Sequence, residues 1–297
     1  MGGSRTPNAE EIAWMLEHAD DNRGPNFIAC ATINGVIATV CIILRLWSRR
    51  IQQGRLHLIV SDWFALVAWV LFVLAVVFGC LSTKYGLGRH VIFASDPRLL
   101  TITNLVYQDL YILVMIFLKI SILSLYKSIF ECSRWFSRTI WVVTALLIEM
   151  AMQFLLTINL ECIPIARLWD PTVPARCLNS AVSGRAGYIQ TIISDIIILS
   201  MPIPLIRKLQ ISKRSKWGLV FAFGAGGSSC IVCFAQLKFF GSLNRTIDGT
   251  WDLINLNYLG TVECMTGFIA TSVAVYGPLY QRIFRHTEPS SQGCSLV

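Results

Sequence analysis

The chain has 297 residues, of which 55% are hydrophobic and 14% charged, and its formal net charge is +8. In a soluble protein such an excess of positive charge would suggest nucleic acid. Here most of it falls in short loops between apolar stretches, where basic residues face anionic lipid, so nucleic acid is set aside as a partner.

Seven apolar stretches follow in chain order: 27–47, 59–79, 104–126, 140–158, 188–206, 217–239 and 258–279. Each is about the 20 residues that a helix needs to cross roughly 30 Å of hydrocarbon. Lipid offers a lone strand no hydrogen-bond partners, so the expected fold is all-α, a seven-transmembrane helix bundle spanning 27–285. A polar segment, 1–26, precedes it and a tail, 286–297, follows.

The loops set the expected orientation. Arg45, Arg49, Arg50 and Arg55 flank the end of the first stretch, and Lys127, Arg134 and Arg138 follow the third. Arg207, Lys208, Lys213, Arg214 and Lys216 follow the fifth, and Arg282 and Arg285 the seventh. The intervening loops are poorer in lysine and arginine, which places the amino terminus outside and the carboxyl terminus in the cytosol. Trp47, Trp63, Trp141 and Trp217 then fall at the inner interface, a favourable depth for an amphipathic ring. The first 26 residues are polar and acidic, so no cleavable leader is expected.

Cys162 and Cys177 bracket an outer loop in a compartment that permits a disulfide, with Cys80 as a competing partner. Asn244-Arg245-Thr246 is an acceptor sequence for N-glycosylation in another outer loop. Cys230-x-x-Cys233 has metal or redox spacing, yet it sits in an apolar stretch without histidine or acidic company. It reads as apolar filler, and no metal or cofactor is expected. The terminal Cys294-Ser295-Leu296-Val297 only superficially resembles a prenylation signal.

Asp62, Asp109, Lys119, Glu149, Asp195 and Glu263 lie within the apolar stretches. Charges there are costly and usually face a bundle interior, which makes them functional candidates. On the third stretch Asn104, Gln108, Tyr111, Met115, Lys119 and Tyr126 recur at helical spacing and form one stripe expected to face the bundle interior, with Asp109 about 100° away and expected to meet a neighbouring helix. Glu149, Gln153 and Thr157 form a stripe on the fourth stretch, and Tyr188, Thr191 and Asp195 on the fifth. Two regions are expected. One is an outward ligand-binding cavity with Asp109, Glu149, Glu263, Tyr111 and Gln108; the other is an inner latch in which Lys119 pairs with Asp195 or Asp62. Met201-Pro202-Ile203-Pro204 is expected to bend the fifth helix above the basic loop 207–216, a candidate surface for a cytosolic signalling partner. Gly224 to Ser229 would allow close helix packing or soften the sixth.

The seventh stretch lacks a lysine, which argues against a retinal Schiff base, and no phosphate-binding loop of the ATP-driven kind occurs. The run Arg45-Leu-Trp-Ser-Arg-Arg50, Asp62-Trp63 and Tyr85-Gly-Leu-Gly-Arg-His90 resembles the fungal rhodopsin-domain family. So do Lys119-Ile-Ser-Ile-Leu, Cys162-Ile-Pro with Trp169 and Cys177, Asp195 with Met201-Pro-Ile-Pro204, and Leu209. The resemblance covers about 27–285 and departs at Trp63, where a second aspartate would stand. It implies a seven-helix protein whose relatives are receptor-like or belong to secondary-metabolite gene clusters. Two functions follow as expectations: a receptor for a small ligand, or a membrane-embedded enzyme or accessory protein acting on an apolar pathway intermediate. In the second, a buried carboxyl would serve as general acid.

Overall fold

A computed structural model describes residues 8–53, 58–129, 134–170, 172–203, 213–243, 248–273 and 275–276. It is mostly helical. A short helix α1 (Ala9–Glu17) precedes seven long ones among the described residues: α2 (Gly24–Gln53), α3 (Val60–Lys84), α4 (Pro97–Ile129), α5 (Arg134–Asn159), α6 (Ser180–Ser200), α7 (Lys213–Leu243) and α8 (Gly249–Val273). Asn244, Arg207 and Lys208 lie outside the described residues. Lys213, Arg214 and Lys216 open α7, but their side chains are likewise outside what is described.

Local chemistry sets several helix ends. Asp96 precedes Pro97, and its Oδ1 accepts the N–H groups of Arg98 and Leu99 at 3.0 and 3.1 Å, so α4 begins with an aspartate cap and a proline at its first position. At the start of α3, Asp62 Oδ2 accepts the N–H of Ile59 at 3.1 Å. Helix α6 stops at Ser200, ahead of Met201-Pro202. Met201 keeps helical dihedrals and its N–H bonds to the carbonyl of Ile197 at 3.1 Å, and Ile203 is helical again, so the helix is interrupted at Pro202, whose ring offers no N–H.

Successive long helices pack side by side from α2 to α8, α8 closes the ring against α2, and α4 and α3 also touch α8. Polarity is inverted relative to a water-soluble domain. Ile33, Val36, Val40 and Ile43 of α2, Val67, Val70 and Leu74 of α3, and Leu146, Met152 and Leu156 of α5 are exposed. Arg45, Asp62, Asn104, Lys119, Asp195, Gln236, Asn257 and Glu263 are buried. An apolar exterior of this extent needs a hydrocarbon solvent. Among the described residues α2 to α5 are long and apolar enough to cross a membrane.

At the end of the bundle where α2, α4 and α8 begin, the run Tyr85 to His90 joins these helices. Gly86 and Gly88 have φ of +115° and +87°, and a Cβ on Gly88 would stand 2.5 Å from Ile254 Cδ1. Gly88 donates to the carbonyl of Thr250 at 3.2 Å and accepts from Arg23 at 3.0 Å, while Leu87 is fully buried. His90, also fully buried, pairs with Asp248, stacks on Trp251 and meets the edge of Trp14 from α1. Between α5 and α6, Cys162–Ile163 and Arg176–Cys177 form a two-stranded antiparallel ladder, closed by a Cys162–Cys177 disulfide. Cys80 is free. In the same loop, the hydroxyl and N–H of Thr172 donate to Asp170 and hold its carboxyl below the usual carboxylate range.

A Cβ on Gly224 or Gly227 would meet nothing within 4 Å, so these two glycines of α7 are not a close-packing face. Close approach occurs elsewhere. A Cβ on Gly187 of α6 would lie 2.0 Å from the Phe154 ring, and one on Gly267 of α8 would lie 2.9 Å from Leu118.

Candidate ligand cavity and the buried polar cluster

The α4 stripe organises the interior. Asn104, Gln108, Tyr111, Met115 and Lys119 all line one cavity of about 290 Å³ between α4, α5, α6, α7 and α8, whereas Tyr126, the last of the stripe, packs instead with Phe136 and Ile140 of α5. Phe154 of α5, Tyr188 and Thr191 of α6, Phe240 of α7 and Leu256 of α8 complete its largely apolar wall. Polar groups are few and placed on different helices. Asn257 donates to Asn104 at 3.1 Å, and the carboxamide oxygen of Gln236, buried to 2% exposure, has no hydrogen-bond partner among the described residues.

One side of the cavity leads into a connected set of buried charges. Lys119 Nζ lies 2.9 Å from Asp195 Oδ1 and donates to Ser194 Oγ at 2.7 Å. Asp195 Oδ2 is 3.7 Å from the thiol of Cys233, which donates to Glu263 Oε1 at 3.0 Å. The second oxygen of Glu263 accepts a short hydrogen bond from the hydroxyl of Tyr111. Four helices, α4, α6, α7 and α8, thus meet at one chain of ionisable groups.

The division expected from sequence is redrawn. Glu263 belongs with Lys119 and Asp195 rather than in a separate outer region. The reason is where α8 starts: it begins at Gly249, so Glu263 is fourteen residues along it, a rise of about 21 Å. Asp62 does not join Lys119. Its oxygens pair with Arg45 Nε at 2.8 Å and Arg49 Nε at 3.0 Å. Arg45 also donates to the carbonyl of Thr271 at 2.6 Å and to Ser61 at 3.1 Å, an arrangement confined to α2, α3 and the end of α8.

Asp109 and Glu149 do not line the cavity. Asp109 accepts from Asn159 of α5 at 2.9 Å. Glu149 is exposed, because the inner face of α5 is the series Phe136, Ile140, Val143, Leu147 and Ala151. Two residues beyond Leu147 is about 200° around a helix, which carries Glu149 to the opposite side. Gln153 follows it outward and accepts from Gln190 of α6 at 3.2 Å.

Cys233 is the residue the sequence reading passed over. Its neighbours along the chain offer no acid, but α6 and α8 supply Asp195 and Glu263 from 38 and 30 residues away. The available signal was the spacing of Cys233, Gln236 and Phe240, one helical face whose polar member has no place against lipid.

Residues 44–282 match the fungal rhodopsin domain. A SAT4 family membrane protein of Emericella nidulans is 27% identical over 69% of the chain and 52% of its own length. Wortmanamides biosynthesis cluster protein C of Talaromyces wortmannii is 25% identical over 76% and 65% of the two chains. Receptor GIN3 of Arthrobotrys oligospora is 25% identical over 81% and 60%. The chain thus spans roughly half to two thirds of the length of these relatives. No solved structure matches it.

Proposed function

The chain belongs to the fungal rhodopsin-domain family, and from that premise we propose that it is a receptor-like seven-helix membrane protein that binds a small, largely apolar ligand in the α4–α8 cavity. On this reading all of α2 to α8 cross the bilayer. Even α6, with 21 residues, rises about 31 Å, enough for the hydrocarbon core. The amino terminus is outside and the basic loop 207–216 cytosolic, the disposition that the positive-inside rule favours. The bilayer in question is either the plasma membrane or an endomembrane, and Asn244 is a glycosylation acceptor on the outer side.

The observation that carries the reading is the cavity itself. Its volume is close to the lower end of small-molecule sites, about 300 Å³, and its wall is apolar with a few polar groups that would orient a ligand. Tyr111 and Lys119 line this cavity and also belong to the buried charges, so an occupant would touch the junction of four helices. Such a contact is how binding would bias one helix arrangement over another.

The test is affinity-selection mass spectrometry on the purified chain in lipid nanodiscs, incubated with a fungal culture extract. The wild type and a cavity-filling Thr191→Phe variant are compared. Compounds retained by the wild type and lost from the variant are expected; equal retention by both would sink the reading.

A second reading draws on relatives named for biosynthetic clusters. The chain would then act on or accompany an apolar pathway intermediate. Metabolite profiles of a deletion strain decide it: build-up of a precursor favours this reading, and an unchanged profile favours the receptor.

A further inference from the structure

We propose that Asp195, Cys233 and Glu263 form a binding site for a thiophilic divalent cation, with Zn²⁺ as the fitting ion. The site goes beyond the ligand reading above and stands whether or not the cavity takes an organic molecule.

Three observations converge on it. The first is donor geometry. One oxygen of each carboxylate and the thiol sulfur lie within 4.8 Å of one another, from three different helices, and all three residues are buried. Around tetrahedral zinc, with metal–sulfur and metal–oxygen distances of about 2.3 and 2.0 Å, a sulfur–oxygen edge measures about 3.5 Å. The two edges here, 3.0 and 3.7 Å, bracket that value.

The second is the outer support. Each carboxylate has one oxygen held from behind, Asp195 Oδ1 by Lys119 and Glu263 Oε2 by Tyr111. The other oxygens, Asp195 Oδ2 and Glu263 Oε1, turn toward the same thiol. Metal ligands are oriented in this way by outer partners, so the arrangement is what a tripod of ligands requires before the ion arrives.

The third is charge. A divalent ion together with the Lys119 ammonium contributes three positive charges, and two carboxylates with a thiolate contribute three negative ones. The occupied cluster is neutral, as a buried site should be. Binding replaces the S–H bond of Cys233 with a sulfur–metal bond, and the thiol proton leaves to the solvent. A thiolate donor selects zinc over magnesium or calcium. Three protein ligands leave one position open to water. Gln236, one turn from Cys233 on α7, lines the cavity with a buried carboxamide oxygen that has no partner among the described residues and would offer that water an acceptor.

The test uses the full chain in nanodiscs, stripped with a chelator and titrated with Co²⁺ as a spectroscopic probe, then with Zn²⁺ while bound metal is counted by mass spectrometry. About one ion per chain is expected, with a cobalt–thiolate charge-transfer band that Zn²⁺ removes and one proton released per ion. Cys233→Ser should abolish the band. Tyr111→Phe should weaken binding by about 10-fold to 100-fold, and Cys230→Ser should change neither. The wild-type spectrum decides even if a variant fails to fold: no thiolate band, or no metal above that of an empty nanodisc, overturns the site. So does a band that survives Cys233→Ser or disappears in Cys230→Ser.

Discussion

The two sets of buried charges differ in what holds them. Around Asp62, the arginines come from α2, and Arg45 also spends its donors on a backbone carbonyl and a serine of the neighbouring helices. Around Asp195, on α6, the linked groups come from α4, α7 and α8, and two of them, Tyr111 and Lys119, border the cavity. The first set ties α2 to α3 and to the end of α8, and none of its residues lines the cavity. The second couples helices to a space that a ligand or ion could fill.

Substitutions can break or sharpen this contrast. The largest effect is expected from Asp62→Ala, which leaves buried arginine charge without its carboxylate; losing one partner of a buried pair costs about 3–5 kcal/mol. The folded, monodisperse fraction recovered in mild detergent should fall close to zero. Lys119→Met should be comparably harmful alone, but Lys119→Met with Asp195→Leu should restore the thermal midpoint, since an apolar replacement of a whole buried pair is often neutral. The corresponding pair Arg45→Met with Asp62→Leu should not recover, because the second buried arginine, Arg49, loses the Asp62 carboxylate and the Thr271 carbonyl loses its donor. Equal recovery of both pairs would erase the distinction drawn here.

A smaller loss, about 1–3 kcal/mol, is expected for Gly88→Ala, where φ is positive and the new methyl would press on Ile254. Differential scanning fluorimetry would register it as a lowered midpoint with ligand retention unchanged. Smallest of all is Glu149→Gln. On the exposed face of α5 it should shift stability by less than about 0.5 kcal/mol and leave cavity binding intact.

Much of the bundle was legible because lipid imposes it: long apolar runs can only be helices, and five of the six residues in the α4 stripe line the cavity at their helical spacing. The disulfide followed from two cysteines flanking one loop. What could not be read was which helix faces which. The start of α8 decided that Glu263 would join Lys119, and it was hard to read because the stretch 249–257 is polar: Asp252 in the first turn suits a helix start, but Asn255 and Asn257 look like loop residues until they are seen bonding within the bundle. Glu149 misled for the opposite reason. A carboxylate in an apolar helix is usually turned inward, and here the inward face was already taken by Leu147 and Ala151. Cys233 was dismissed because its partners are remote in sequence.

The inverted polarity of the molecule also governs how it responds to heat. A water-soluble domain exposes apolar surface to water on unfolding, and the resulting heat-capacity increase curves its stability against temperature. The exposed valines, isoleucines and leucines of α2, α3 and α5 would remain in hydrocarbon when the helices separate within a bilayer. The heat-capacity change of that separation should therefore be small, the stability curve nearly straight, and cooling alone should not loosen the bundle.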